Sequence, residues 1–285
     1  MNRQKNEITY FAFYMPKTII VSDRVIVKIL ILSVLVFGVV SCNTSHKDKK
    51  IPFTTDSELA RKLYFEADEL FEKVYISEAV AHLEEALAED PDFFMAAYGL
   101  ATHYMFFEDN RDFLKYAAQA IRSDITLSKG ENLLKTALQK LMVDQNADVT
   151  DLGRELVKLY PDDPYAYFHL TFFQQITEDY QGQVENLLKA AEIKEDPANV
   201  LNTLGYTYMA MEQFNEAAEA FDKYIELKPD EPNPYDSKGD YYMAVEEYGK
   251  AYDSFMKAVD IDSTWTESLQ KAKQAHTMIN SPEKE

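Results

Sequence analysis

Residues Ala198 to Pro229 read ANVLNTLGYTYMAMEQFNEAAEAFDKYIELKP, and this stretch decides the fold. Leu201, Leu204, Gly205 and Tyr208 fall at i, i+3, i+4 and i+7, one face of a helix running from about Ala198 to Met211. Ala217, Phe221 and Tyr224 repeat that spacing on a second helix from about Asn215 to Leu227. Gly205 and Ala217 are small where the two helices must approach, while Phe214 and Phe221 fill the space beside them. Pro229 cannot continue the second helix and separates this hairpin from the next. One hairpin cannot bury its apolar face alone, so the pattern requires stacked neighbours.

Neighbours recur at steps of about 34 residues. The unit from Pro232 carries Gly239, Tyr242, Tyr248, Ala251, Phe255 and Ala258 at matching offsets. The unit from Pro164 keeps Leu170, Tyr180, Leu187 and Ala190, but Thr171 and Gln183 depart from the small-residue positions. The unit from Gly130 keeps Ala137 and Pro161, with Gly153 inside its second helix. Upstream, Ala60 opens a unit with Ala67, Ala79, Leu83, Ala86 and Pro91, and Phe94 opens one with Leu100, Ala101, Tyr104 and Ala120. Two extra residues near Asp124 precede the following unit. From Ser57 to Trp265 the chain resembles the tetratricopeptide repeat (TPR) family. That resemblance implies an all-α, right-handed α-solenoid of about six helix-turn-helix repeats over residues 56–265. A capping helix is expected from about Thr266 to Met278, with Lys271, Lys273 and Gln274 on its water-facing side and a frayed tail ending at 285.

Local signals agree. Ser57 or Asp56 suits the start of the first helix, Ser128 with Glu131 fits a capping box, and Asp163 followed by Pro164 fits a helix opening with proline in its first turn. The 285 residues carry a net charge of −20. Residues 1–41 hold five basic and two acidic side chains, leaving 24 basic and 47 acidic groups in the remainder, net −23. A body that acidic is repelled by nucleic-acid phosphates, so no nucleic acid is expected as a partner.

The start of the chain reads as an address. Arg24 and Lys28 flank an apolar run, Ile29 to Val40, whose 12 residues are too few to cross a bilayer. A basic flank, a short apolar run and small residues describe a secretory signal peptide over residues 1–41, with Met15 a possible true start. Val39, Val40, Ser41 and Cys42 resemble the lipobox of bacterial lipoproteins, in which the cysteine is acylated after cleavage; Cys42 is also the sole cysteine. The resemblance implies a lipid on Cys42 that anchors the chain to a membrane. Because Asn43 lacks the aspartate of an inner-membrane retention signal, the outer membrane is favoured. The polar residues 42–55 read as a flexible tether.

In solenoids of this family the first helix of each repeat lines a concave groove. The resemblance therefore places Tyr98, Tyr165, Phe168, Phe172, Asn199, Asn202, Tyr206 and Met209 toward a protein or peptide partner. Aromatic and methionine side chains supply apolar area, and asparagines can pair with a bound backbone. The implied function is a membrane-anchored interaction scaffold or assembly adaptor of the bacterial envelope; the alternative is capture of glycan or peptide on the same aromatics. Chemistry finds little support. Asp144, Asn146, Asp148 and Glu155 mimic calcium-loop spacing, but Val149 stands where the loop needs glycine. Ser254 and Lys257 match a Ser-x-x-Lys spacing without the partner motifs. The five histidines show no paired ligand spacing. The chain is expected to be no enzyme and to carry no cofactor or metal.

Overall fold

The computed structural model describes residues 50–105, 110–122 and 125–280. The leader, Cys42 and the tail lie outside the described residues, as does the two-residue insertion near Asp124. Residues Lys49–Glu285 form one compact unit. Among its described residues, six helical hairpins follow in order: α1 (Glu58–Glu72) with α2 (Ile76–Glu89), α3 (Phe94–Tyr104) with α4 (Arg111–Arg122), α5 (Lys129–Val143) with α6 (Thr150–Leu159). Then come α7 (Pro164–Ile176) with α8 (Tyr180–Ile193), α9 (Ala198–Ala210) with α10 (Phe214–Leu227), and α11 (Asn233–Ala244) with α12 (Tyr248–Ile261). A thirteenth helix, α13 (Thr266–Ile279), packs on α12. Each helix packs chiefly on its sequence neighbours, which defines an all-α solenoid. No helix among the described residues is long and apolar enough to cross a membrane.

The 34-residue period is visible in the backbone. Glu178, Glu212 and Glu246, each 34 apart, occupy the left-handed region at the turn between the paired helices, with φ of 55°, 56° and 61°; Val74 does the same at 64°. Each turn closes with the same long hydrogen bond at 2.9 Å, from Tyr75, Asp179, Gln213 or Glu247 N–H to the carbonyl five residues earlier. That bond satisfies a carbonyl left without an intrahelical partner at the end of the first helix.

Packing inside a hairpin is set by a pair of positions 16 residues apart. A Cβ built on Gly205 would sit 2.5 Å from Cζ of Phe221, and one on Gly239 would sit 2.5 Å from Cδ1 of Phe255. Where the first position carries a side chain the second shrinks: Ala67 with Leu83, Ala101 with Ala117, Ala137 with Gly153, Thr171 with Leu187. Gly153 has a further reason. A Cβ there would come within 2.9 Å of both Leu170 and Phe173 of α7, so the apparent irregularity of the third repeat makes room for the fourth.

The fourth repeat replaces small residues by amides that satisfy one another. Buried Gln183 donates to Gln175 Oε1 at 2.9 Å and accepts from Thr207 Oγ at 3.2 Å, linking α7, α8 and α9. Gln174 donates to Asp179 and accepts from Asn186, both at 2.9 Å. A buried amide is tolerated when its hydrogen bonds are made, which is why Gln183 stands where an alanine was expected.

Helix starts follow the sequence signals. Ser57 Oγ accepts from Ala60 N–H, the Ser128–Glu131 capping box forms in both directions, and Asp163 caps α7 with Pro164 in the first turn. Asp148 accepts from Thr150 N–H at 3.0 Å, but the cap position itself is Val149.

Two expectations are corrected. The flexible tether fails for its last residues: Ile51 is 3% exposed and Thr55 is 8% exposed, both fixed to the body by hydrogen bonds. Apolar Ile51 and Phe53 inside that polar stretch are the physical reason. Lys271 does not face water either. Its ammonium lies 2.7 Å from Asp236 and 2.8 Å from Asp240 on α11, while Lys273 and Gln274 are exposed as expected.

Candidate partner-binding face

The first helices of the hairpins carry every residue assigned to a groove. Four of the eight are buried in this structure: Tyr98, Asn202, Tyr206 and Met209. Tyr98 packs edge-on against His169 at 5.4 Å, which ties α3 directly to α7. Tyr206 donates to Asp240 at 2.8 Å and sets its ring edge on Phe221 at 5.3 Å. Asn202 lies 4% exposed with its Oδ1 unpaired, and the Tyr98 hydroxyl is unpaired as well. These side chains serve the packing between repeats and offer no free surface here. A sugar stacking on this face would lack the rings of Tyr98 and Tyr206.

The other four are half-buried. Tyr165 and Phe168 meet edge-to-face at 5.9 Å, Phe172 lies 5.8 Å from Phe173, and Asn199 donates to Glu72 at 3.4 Å. Their neighbours across the array come from the first hairpin. Tyr165 donates its hydroxyl to Asp68, and Lys194 pairs with Glu72. Tyr75, in the turn after α1, donates to Asp262 at 3.0 Å and meets Trp265 edge-on at 6.4 Å. The first repeat thus reaches the fourth, the fifth and the end of the sixth. A cleft of about 140 Å³ remains beside these contacts, lined among others by Glu69, Glu72, Asp196, Asn199, Lys228 and Glu231.

A second element runs beside α1 and the end of α2 and covers the starts of α5 and α7. Ile51 N–H donates to Asp163 Oδ2 at 2.7 Å, and Thr54 N–H donates to Glu131 Oε1 at 2.7 Å. Ser128 Oγ donates to the Pro52 carbonyl at 3.2 Å, and Thr55 Oγ donates to Asp90 at 2.5 Å. Phe53 lies 5.2 Å from Tyr64 and 5.6 Å from Phe65, and the Ile51 side chain packs over Gly130. Asp163 and Glu131 are 1% and 0% exposed, so both carboxylates are spent on this strap and on their own helix starts. Sequence reasoning missed the strap; the apolar Ile51-Pro52-Phe53 within a polar run was the available signal.

The electrostatics follow from burial. Burial raises the Asp68 carboxyl to about 6, with the Tyr165 hydroxyl pulling the other way. Burial holds the imidazoles of His103 and His169 down at about 4, so both are neutral at pH 7. In the α11–α13 cluster burial raises Asp240, opposed by Lys271. Burial pulls the Lys271 ammonium down, but Asp240 and Asp236 outweigh it and keep it charged. No grouping of His, Cys, Asp and Glu suited to a metal ion occurs among the described residues.

Stacked hairpins with a shared turn register, each packed on its sequence neighbours, define an α-solenoid. Residues 198–231 and 233–264 match models of the tetratricopeptide repeat, covering α9 to α12. The part of the chain from α9 to α12 is therefore a pair of tetratricopeptide repeats. Among solved structures it is similar to PilW, described as a widely conserved type IV pilus biogenesis factor, at 16% identity and TM-score 0.47 over 76% of this chain and 99% of that one. It is similar to a thermophilic TPR protein of Thermus thermophilus at 14% identity and TM-score 0.47, over 76% and 99%. MamA protein follows at 18% identity and TM-score 0.39, over 74% and 95%. No curated protein matches the chain in sequence.

Proposed function

We propose that this protein is an interaction scaffold or assembly adaptor anchored to the bacterial envelope by a lipid on Cys42. The observation that carries the scaffold reading is the stack of six hairpins, two of them matched tetratricopeptide repeats. Such an array exposes long faces, holds them rigidly and gives each repeat its own contact residues, which suits recognition of another polypeptide. Phe168, Phe172, Tyr165 and Asn199, half-buried on one face, are the first contacts proposed for that partner. The anchoring reading rests on the basic flank, the short apolar run and the single cysteine that ends it.

Photocrosslinking in native membranes, followed by mass spectrometry, tests both parts. Crosslinkers at positions 168 and 172 are expected to join one envelope protein reproducibly. Adducts confined to the chain itself would overturn the scaffold reading. A Cys42→Ser chain is expected in the soluble fraction; undiminished membrane recovery would overturn the anchor.

A further inference from the structure

The strap contacts its body as a bound peptide contacts a receptor. Two main-chain N–H groups three residues apart are held by buried carboxylates, the intervening carbonyl of Pro52 is held by Ser128, and an aromatic ring is inserted between them. Among the described residues, none of the strap's main-chain bonds belongs to a helix or sheet; each goes to a side chain of another element. Glu131 and Asp163 both sit at helix starts, where a carboxylate already serves its own helix N–H groups. Those helix bonds survive the strap's departure, whereas the Ile51 and Thr54 N–H groups have no other partner among the described residues. The strap is therefore held by a handful of polar bonds and by the side chains of Ile51 and Phe53, contacts that another chain of the same pattern can replace.

We propose that Ile51–Thr55 is a built-in occupant of a peptide track along α1, the end of α2 and the starts of α5 and α7, and that a partner segment of the same backbone pattern enters only as the strap leaves. The partner chemistry is specified by the contacts. It is an apolar residue, a residue offering a carbonyl, an aromatic ring, and then hydroxyl residues, with free N–H groups at the first and fourth positions. This deepens the scaffold reading by adding a second polypeptide track beside the Phe168–Phe172 face, and it rests on that reading. A cis occupant lowers apparent affinity in proportion to the time it stays docked.

The test uses the full chain and a fluorescein-labelled peptide of residues 50–56. The Ile51→Ala, Phe53→Ala double variant is expected to bind this peptide about tenfold or more tightly than the unmodified chain does. Adding Glu131→Gln, which removes the charged acceptor for the fourth-position N–H, is expected to weaken that binding again. A double variant that keeps its helical circular dichroism and binds no peptide overturns the proposal, as does equal binding by the unmodified chain. Hydrogen exchange on the unmodified chain decides the matter independently of whether the variant folds. The Ile51 and Thr54 amides are expected to exchange at least about tenfold faster than the Leu138 amide inside α5. Exchange at the same rate as Leu138 would mean that the strap leaves only on unfolding, and the proposal falls. Neither readout depends on finding the envelope partner, so failure of the crosslinking and failure of the strap are separate results.

Discussion

At the scale of single residues, the hairpins are specified by volume. Gly205 and Phe221 share a space that admits one ring and no methyl, since an added Cβ would overlap the ring edge. Gly205→Ala is expected to lower stability by about 2 kcal/mol, the usual cost of overpacking a tight core. The first and fourth repeats show the remedy, because Ala67 and Thr171 are matched there with Leu83 and Leu187. Adding Phe221→Leu to Gly205→Ala should recover about half of the loss, so that the pair costs less than the sum in a thermal melt. A second residue-level effect concerns charge. The folded Asp68 carboxyl titrates near 6 and the unfolded one near 3.8, so the native state binds the proton more tightly. Stability from this group is therefore highest below about pH 4, declines as pH rises to about 6 and stays reduced above. Asp68→Asn, which can still accept from Tyr165, should raise the melting temperature at pH 7.5 and lose that advantage toward pH 4, the full effect being at most about 3 kcal/mol. His103 and His169 titrate across the same window with opposite sign, so the difference between variant and parent is the quantity to follow.

At the scale of elements, the cap helix is fastened by ionised groups rather than apolar area alone. Lys271 bridges Asp236 and Asp240, and Ser268 donates to Asp236 at 2.5 Å, all between α13 and α11. Lys271→Met would leave two carboxylates confined without a cation, a change that costs about 3 kcal/mol or more in comparable sites. Because each repeat touches mainly its neighbours, the damage should stay local. Hydrogen exchange should quicken across α11 and α13 while α5 and α6 keep their protection; uniform quickening would contradict a nearest-neighbour array. The elements themselves were legible in the sequence. Pro164, Ala198 and Pro232 mark helix starts within a residue or so, because a hairpin's core positions lie within one period of each other. Lys271 was misplaced for a related reason. Periodicity tells which face of α13 is apolar, but a lysine among carboxylates on an adjoining helix reads the same as one in water.

At the scale of the whole described body, the contacts that the sequence did not reveal are those between repeats far apart along the chain. Asp68 and Tyr165 are 97 residues apart, and Tyr75 and Asp262 are 187 apart. A repeating pattern specifies what each unit presents to the next one, and contains nothing about units that meet only after several steps of winding. The same limit explains the candidate face. Tyr98, Asn202, Tyr206 and Met209 sit at the expected register, yet packing by neighbouring repeats has covered them. Glu72→Ala with Tyr75→Ala removes the first hairpin's polar contacts to Lys194, Asn199 and Asp262, leaving Tyr165–Asp68 and the interior of every repeat intact. Small-angle scattering is expected to show a larger maximum dimension with unchanged helical dichroism. An unchanged profile would mean that stacking alone sets the curvature.

The edge contact between Tyr75 and Trp265 also gives the molecule an internal gauge. Trp265 is the sole indole in the chain, and it sits where the beginning of the array touches its end. Its emission colour therefore records whether that seam is shut. Any unwinding, whether by denaturant, by a visiting polypeptide or by pull on the amino-terminal side, becomes readable as light without a label.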